Sequence, residues 1–331
     1  MKIKKIAVLM MSLSVFVVSC NKEEKQNERD FSQSELVLQL KNVNAELMST
    51  RPQTKMTNRQ AANVAWADLS GAGTGAKAGW KIGKAIGTAI GNPVQVGTLG
   101  AIVGGVGFAA VMSWMAWPEN PITENPSYDD MVSFEEAVMR DYDTEVSLTD
   151  LFEDIDVISG EDEEEVKGRI FVEMNSLEEV ALSPAELMVG EKHNLMLAFM
   201  QGIISPQTPT TSNKRASKRE FPGEVELGMS AAKRRLLVKR ILQSDTMRQE
   251  YNQMLSTESL GEDGTLPGLV SSLYGEVFKE YPDSVEDVVY LVNQYTSLID
   301  ASNELTDDEK TCIKHGMSVS LYSFNYWSKN Q

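Results

Sequence analysis

The residues able to do chemistry are few: the chain of 331 residues has two histidines and two cysteines. His193 stands in Gly190-Glu191-Lys192-His193-Asn194, and His315 closes Cys312-Ile313-Lys314-His315. A thiol and an imidazole at i and i+3 share a helix face, so Cys312 and His315 are weak candidates for a shared metal ion. They supply two of the four ligands that a structural zinc takes, and His193 could join them only through a tertiary contact. As a nucleophile and base they lack an identifiable third group to orient the imidazole. A packed thiol beside a hydrogen-bonded histidine is the simpler reading. The sequence has no nucleophile elbow, no Walker loop and no HExxH pair. It therefore predicts no catalytic residues, no metal and no enzyme. Glu191, His193 and Asn194, so close together on one helix, form either a buried polar network or a binding site, and capping or bridging of neighbouring segments favours the network.

The elements that would position these groups read as helices. Apolar residues at Leu36, Leu38, Leu40, Val43 and Leu47 mark a helix within Asp30–Leu47. Thr57-Asn58-Arg59-Gln60 has the form of a capping box opening the next. Ser183-Pro184-Ala185-Glu186 predicts a strong helix start continuing to Ile204, with the cap serine, proline at the first helical position and glutamate closing the box. Ser230–Leu255 reads as one helix rich in basic residues, Ser284 opens a helix to about Ile299, and Thr306 opens the last. Helix-like segments fall near 133–140 and 147–155, and Arg169–Val172 could be a short strand. The acidic run Glu161–Glu165 reads as a solvated loop or helix start. The fold class expected is mainly α with little strand: a glycine-zipper helical hairpin followed by a bundle-like helical body.

Gly71, Gly75, Gly79, Gly83, Gly87 and Gly91 recur every four residues. This spacing is no dinucleotide fingerprint, since no strand precedes it and no acidic residue sits at the ribose position. Each glycine costs a helix about 1 kcal/mol relative to alanine, so the stripe needs a close partner. Glycine permits that approach because it has no Cβ. Gly91-Asn92-Pro93 signals a turn, and Val94–Trp117 follows without a charge, carrying Gly97, Gly100, Gly104 and Gly107. The pattern predicts a hairpin over residues 71–117 with its small-residue seams facing. It is either buried in the protein's own helical body or inserted in a membrane. The second arm is about 36 Å long as a helix, enough to span, and Trp114 and Trp117 sit at one end as interfacial aromatics do. The first arm carries Lys81 and Lys84 and cannot span alone. Its GxxxG repeats and lysines resemble the glycine-rich helices of bacteriocins and some pore formers, which implies a membrane-active effector as the alternative function.

The N-terminus speaks to location. Lys2, Lys4 and Lys5 precede the apolar stretch Ile6–Val18, the layout of a secretory signal peptide over residues 1–19. Val17-Val18-Ser19-Cys20 resembles the lipobox of bacterial lipoproteins, which implies cleavage before Cys20 and a covalent lipid on its thiol, with the bilayer as a partner through the acyl anchor. Lys22, Glu23 and Glu24 resemble the export signal on surface lipoproteins of the Bacteroidota, which implies an outer-membrane protein facing the cell exterior. A polar tether over residues 20–34 would carry helices over 35–117 and an acidic helical domain over 118–331, with a break at 118–126 and a flexible loop at 205–224. Removing residues 1–19 takes three lysines and moves the formal charge from −17 to −20. Such a chain repels phosphate backbones, so no nucleic-acid partner is expected.

Three motifs together resemble uncharacterised Bacteroidota lipoproteins: the glycine-zipper hairpin, Gly190-Glu191-Lys192-His193-Asn194, and Tyr322-Ser323-Phe324-Asn325-Tyr326-Trp327. The resemblance brings no activity with it. The function expected is a non-catalytic binding or structural role, with a protein partner on the cell surface, and no cofactor besides the lipid on Cys20.

Overall fold

The computed structural model describes residues 31–50, 58–116, 127–129, 131–132, 155–172, 180–206, 231–256 and 265–329. The expected signal peptide with Cys20, the expected export signal at Lys22, Glu23 and Glu24, the expected break at 118–126, the helix-like segments read at 133–154, and residues 207–224 of the expected loop lie outside the described residues.

Helices dominate. A 3-10 turn at Phe31–Gln33, inside the stretch expected as tether, leads into α1 (Glu35–Thr50). The Ser34 hydroxyl and the Leu36 amide both donate to Glu304, which ties this entry to the C-terminal part of the chain. The long pair follows, α2 (Arg59–Ala89) and α3 (Pro93–Ala116). After them come β1 (Ile155–Val157), α4 (Glu163–Ile170), α5 (Pro184–Met200) and β2 (Ile204–Pro206). The chain then runs through α6 (Ala231–Leu242), α7 (Asp245–Ser256), α8 (Leu266–Phe278), α9 (Val285–Ala301) and α10 (Asp307–Ser328). The two short strands pair antiparallel, Asp156 opposite Ser205.

The α2–α3 hairpin is the centre of the molecule. Helix α10 lies along α2 and against α5, which also meets α3. Helices α1, α8 and α9 close this side around Leu40, Tyr274, Tyr295 and Phe324. On the other side α6 and α7 cover the hairpin, with Leu237 and Leu242 against Val96 and Leu99, and Met247 and Tyr251 against Ala78 and Phe108. The apolar stretch Val96–Ser113, mean hydropathy 1.8 and long enough to cross a membrane, is 94% buried inside this body. Burial of so much apolar surface is the main term holding the hairpin in place.

Helix starts follow local cap chemistry. Ser183, Ser284 and Thr306 each form a capping box, and Pro184 takes the first helical position of α5. Asp162 caps α4 by accepting from the amides of Glu164 and Glu165, so the acidic run is a helix start whose charges meet the positive end of the helix.

Four expectations are corrected. The start of α2 is not a capping box: its N-cap is Asn58, whose side chain makes no cap bond and donates instead to the Asp283 carbonyl at 2.8 Å. Arg169 and Ile170 do not form a strand; they close α4, which buries Val166 and Ile170 one turn apart, while the strands lie at 155–157 and 204–206. The helix from Ser183 stops at Met200, because Gly202 turns the chain with φ +67° and Ile204 enters β2. The basic helix is two helices, interrupted at Gln243-Ser244, where serine and Asp245 favour a new N-terminus. The break lets Leu242 and Met247 both face the hairpin.

Candidate functional site

The α2–α3 contact is built from the glycine stripe. A Cβ on Gly75 would lie 2.0 Å from the Gly104 carbonyl oxygen, and one on Gly79 would lie 1.9 Å from that of Gly100. Likewise Gly83 abuts Val96, Gly87 abuts Asn92 and Gly71 abuts Phe108, so the register advances four residues at each step of an antiparallel pair. Backbone touches backbone along the seam, which any side chain would prevent. Gly100 and Gly104 face Gly79 and Gly75 in return. Gly97 differs, since it packs on the Trp80 ring. Gly107 is buried within α3. Gly91 is no part of the seam: it sits in the turn with φ +80° and open space around it, because the chain must reverse there before Pro93. Gly105, not expected in the seam, meets Ala72 and Ala76. Lys77, Lys81 and Lys84 point outward, and Lys84 pairs with Asp308.

Beneath the seam lies a buried polar cluster. Asp68 of α2, Ser113 of α3, His193 of α5 and Ser323 of α10 are all 0% exposed. Both serines donate to Asp68 Oδ2, Ser113 at 2.6 Å. Trp327 Nε1 donates to Ser113 Oγ at 2.9 Å, and His193 Nε2 stands 3.4 Å from Asp68 Oδ2. Four helices thus meet at one carboxyl group. Burial pushes the Asp68 carboxyl well above its ordinary range, against the two serine donors, and lowers His193 to about 4.

Serine, histidine and aspartate are the residue types of a hydrolytic triad, but the connectivity is different. A triad places the imidazole between carboxylate and hydroxyl. Here both hydroxyls donate to the carboxyl, leaving no base to activate them, and every member is sealed from solvent. The arrangement can hold helices together; it offers a substrate no access.

The two motifs at 190–194 and 322–327 serve this same region. Gly190 allows α10 to come close, since a Cβ there would lie 2.3 Å from the Tyr322 ring. Its amide donates to Ser318 Oγ, which donates to the Leu187 carbonyl. Tyr322 donates to Glu191 at 3.3 Å, and burial raises the Glu191 carboxyl to about 7. Asn194 Nδ2 reaches the carbonyls of Arg169, Ile170 and Tyr322, while Asn325 Nδ2 reaches those of Gly168, Arg169 and Phe171. These two amides satisfy the C-terminal carbonyls of α4, which a helix end leaves unpaired. Tyr326 donates to Gln201 at 2.6 Å. Glu191, His193 and Asn194 are thus brought into one network with the C-terminal motif.

Cys312 and His315 lie apart from it. Cys312 is partly exposed on a cleft lined by Leu69, Gly73, Ser271, Tyr274 and Met317. Burial and the carboxylates of Asp308 and Glu309 push its thiol up to about 12, so it is not a thiolate at neutral pH. His315 is buried, held down to about 4 by burial, and its Nδ1 has no hydrogen-bond partner. Among the described residues no group of three or more His, Cys, Asp or Glu side chains is placed to hold a metal ion.

Sequence reasoning missed Asp68, Ser113 and Trp327 as members of the network. The available signal was Asp68 itself, the one acidic residue of α2, standing on the face marked by Ala61, Ala65 and Ala72. Compared with known protein families, with characterised proteins and with solved structures, the chain matches none.

Proposed function

We propose that the protein is an outer-membrane lipoprotein, acylated at Cys20 and facing the cell exterior, whose helical body has a non-catalytic binding or structural role toward a protein partner on the cell surface. One observation carries most weight. The helix apolar enough to cross a bilayer is 94% buried in the protein's own body, so the bilayer must be met by another part of the chain. The signal-peptide layout and the lipobox-like Val17-Val18-Ser19-Cys20 supply that part. The polar cluster supports a structural reading of the histidine and serines, and no cofactor besides the lipid is invoked. The test is labelling of the expressed full chain with radioactive palmitate. Incorporation that Cys20→Ser abolishes, with protease-accessible protein on intact cells, supports the reading; a chain that takes up no label refutes it.

A second reading, a membrane-active effector that inserts residues 71–117, is favoured by the length and hydropathy of Val96–Ser113 and by the exposed Ile90 and Val94 beside the hairpin turn. It predicts leakage of dye-loaded vesicles by residues 21–331 prepared without lipid. The first reading predicts a soluble protein that leaves vesicles intact.

A further inference from the structure

Helix α6 is basic on its outer side and has no acidic residue of its own. It carries Lys233, Arg234, Arg235, Lys239 and Arg240 without one carboxylate. Leu237, Val238, Ile241 and Leu242 form its buried face. Lys233, Lys239 and Arg240 are exposed on the other face around Leu236, itself 52% exposed. Among the described residues no carboxylate pairs with any of these three cations. The negative end of the helix dipole favours Lys239 and Arg240 in the last turn. It does not reach Lys233 in the first turns, and it leaves Leu236 uncovered.

The chain that arrives at this helix is acidic. Residues 127–132 lie along the junction of α6 and α7. The Tyr128 hydroxyl donates to the Leu242 carbonyl at 2.6 Å, and its ring meets that of Tyr251 edge-on. Arg248 of α7 donates to Asp129 at 2.9 Å and lies over the Tyr128 ring. Met131 is buried there, and Val132 packs against the cluster holding Leu237 and Val238. The next 22 residues, 133–154, hold eight carboxylates and one basic residue, Arg140. A helix with its side chains is about 10–12 Å across, so the outer face of α6 lies about one helix width from Val132. Extended, such a stretch reaches roughly 70 Å, enough to cross that face and return to β1 at Ile155.

We propose that the acidic stretch 133–154 docks on the outer face of α6 in the same molecule, its carboxylates against Lys233, Lys239 and Arg240 and its apolar residues over Leu236. The contact continues one already made, that of Asp129 with Arg248 on the neighbouring helix. Tethering at both ends holds these carboxylates near α6 at a local concentration on the order of millimolar, above that of any free partner of the same charge. The pairs lie at the surface and are therefore weakened by salt. The docking does not depend on the lipid anchor.

The test is carbodiimide cross-linking of the full chain at low salt, which joins a carboxylate to a lysine amine in contact with it, with the products mapped by mass spectrometry. Lys233 or Lys239 should be joined to residues 133–154 at least about five-fold more often than Lys41, exposed on α1 across the molecule, and about 1 M salt should remove the difference. Equal joining of Lys41 overturns the proposal. So do cross-links of Lys233 and Lys239 to Glu258, Glu262 or Asp263 instead, and cross-links between nitrogen-15-labelled and unlabelled chains, which make a second copy the occupant. In a chain combining Lys233→Glu, Lys239→Glu and Arg240→Glu, chymotrypsin should cut at Phe134, Tyr142 or Phe152 at least about three-fold faster than in wild type, with the circular dichroism unchanged. Equal cutting overturns the docking. Binding of wild type but not of this variant to vesicles of anionic lipid assigns the face to a bilayer and overturns it too. Should the variant fail to fold, the cross-links of the wild-type chain decide by themselves.

Discussion

The same substitution at two glycines six residues apart should change stability in opposite directions. At Gly79 an added Cβ would lie 1.9 Å from the Gly100 carbonyl oxygen and 2.6 Å from its carbon. Neither neighbour is a flexible side chain, so relief requires the two helix backbones to separate by roughly 1 Å or more, which forfeits a quarter to a half of the dispersion energy across the gap. Overpacking of this kind costs about 1–3 kcal/mol and more where backbone must move. Alanine returns about 1 kcal/mol through helix propensity. Gly79→Ala should therefore destabilise by about 2 kcal/mol net, taking the upper part of that range. At Gly73, in the same helix, an added Cβ meets nothing within 4 Å. Only the propensity term applies there, and Gly73→Ala should stabilise by up to about 1 kcal/mol. The assay is urea unfolding followed by circular dichroism, with midpoints compared at equal slopes. If Gly79→Ala matches Gly73→Ala, the backbones are not in contact and the seam is misread.

Other perturbations follow the same logic. Gly275→Ala would drive a Cβ to 1.8 Å from the Trp66 ring, which also carries Lys279 above it at 4.5 Å; a loss of about 1–3 kcal/mol and a changed tryptophan emission are expected. His315 is held to about 4 against an ordinary 6.5 by burial, so its contribution is present above pH 6.5 and lost as pH falls toward 4. His315→Gln should therefore lose about 2 kcal/mol less than wild type between pH 7 and pH 5, read from urea midpoints. Glu191 is raised to about 7, and its stabilisation is present below 4.5 and lost as pH rises through 7. Glu191→Gln should accordingly flatten the fall in stability between pH 5 and pH 8 by up to about 2 kcal/mol, and an unchanged slope would exclude a shifted carboxyl. Asn325→Ala removes one donor from each of the Gly168, Arg169 and Phe171 carbonyls, of which Gly168 keeps Lys329 and Arg169 keeps Asn194, so about 1 kcal/mol should be lost and proteolysis near 168–171 should quicken.

Features written in neighbouring residues were legible in the sequence. The caps at Ser183, Ser284 and Thr306 work through atoms three residues apart, and all three were readable. The four-residue glycine period is equally local. Which residue each glycine touches is not local, and the period ran on into Gly91 although Asn92-Pro93 already marked the turn. The polar cluster was least legible because its bonds span 45 and 255 residues. Serine in a helix is commonplace, so Ser113 and Ser323 carried no signal of their own. His193 and Asn194 were singled out for their types, but what they oppose was set by tertiary packing. The start of α2 shows the same limit in reverse: the box read over Thr57–Gln60 gives way to an N-cap at Asn58, whose side chain bonds the Asp283 carbonyl instead of capping.

The seam and the polar cluster solve different problems. A glycine stripe with a constant period brings two helices very close but says little about register. Sliding α2 by four residues against α3 would place Gly75 opposite Gly100 and leave much of the small-residue contact intact, because both helices repeat in nearly the same way. Apolar packing alone resists such a slip weakly; one buried polar contact per hairpin resists it strongly, as a single buried asparagine fixes register in coiled coils. A four-residue slide moves Asp68 about 6 Å along the axis from Ser113. That parts Asp68 from Ser113 and, whichever of the two helices α10 follows, also breaks either Ser323–Asp68 or Trp327–Ser113, each loss in a dry core costing about 1–3 kcal/mol. The turn at Gly91 sets the register at one end of the hairpin, and Asp68–Ser113 sets it at the other. The close approach that glycine makes possible therefore requires the polar cluster beneath it, and the one acidic residue of α2 stands where that requirement is met.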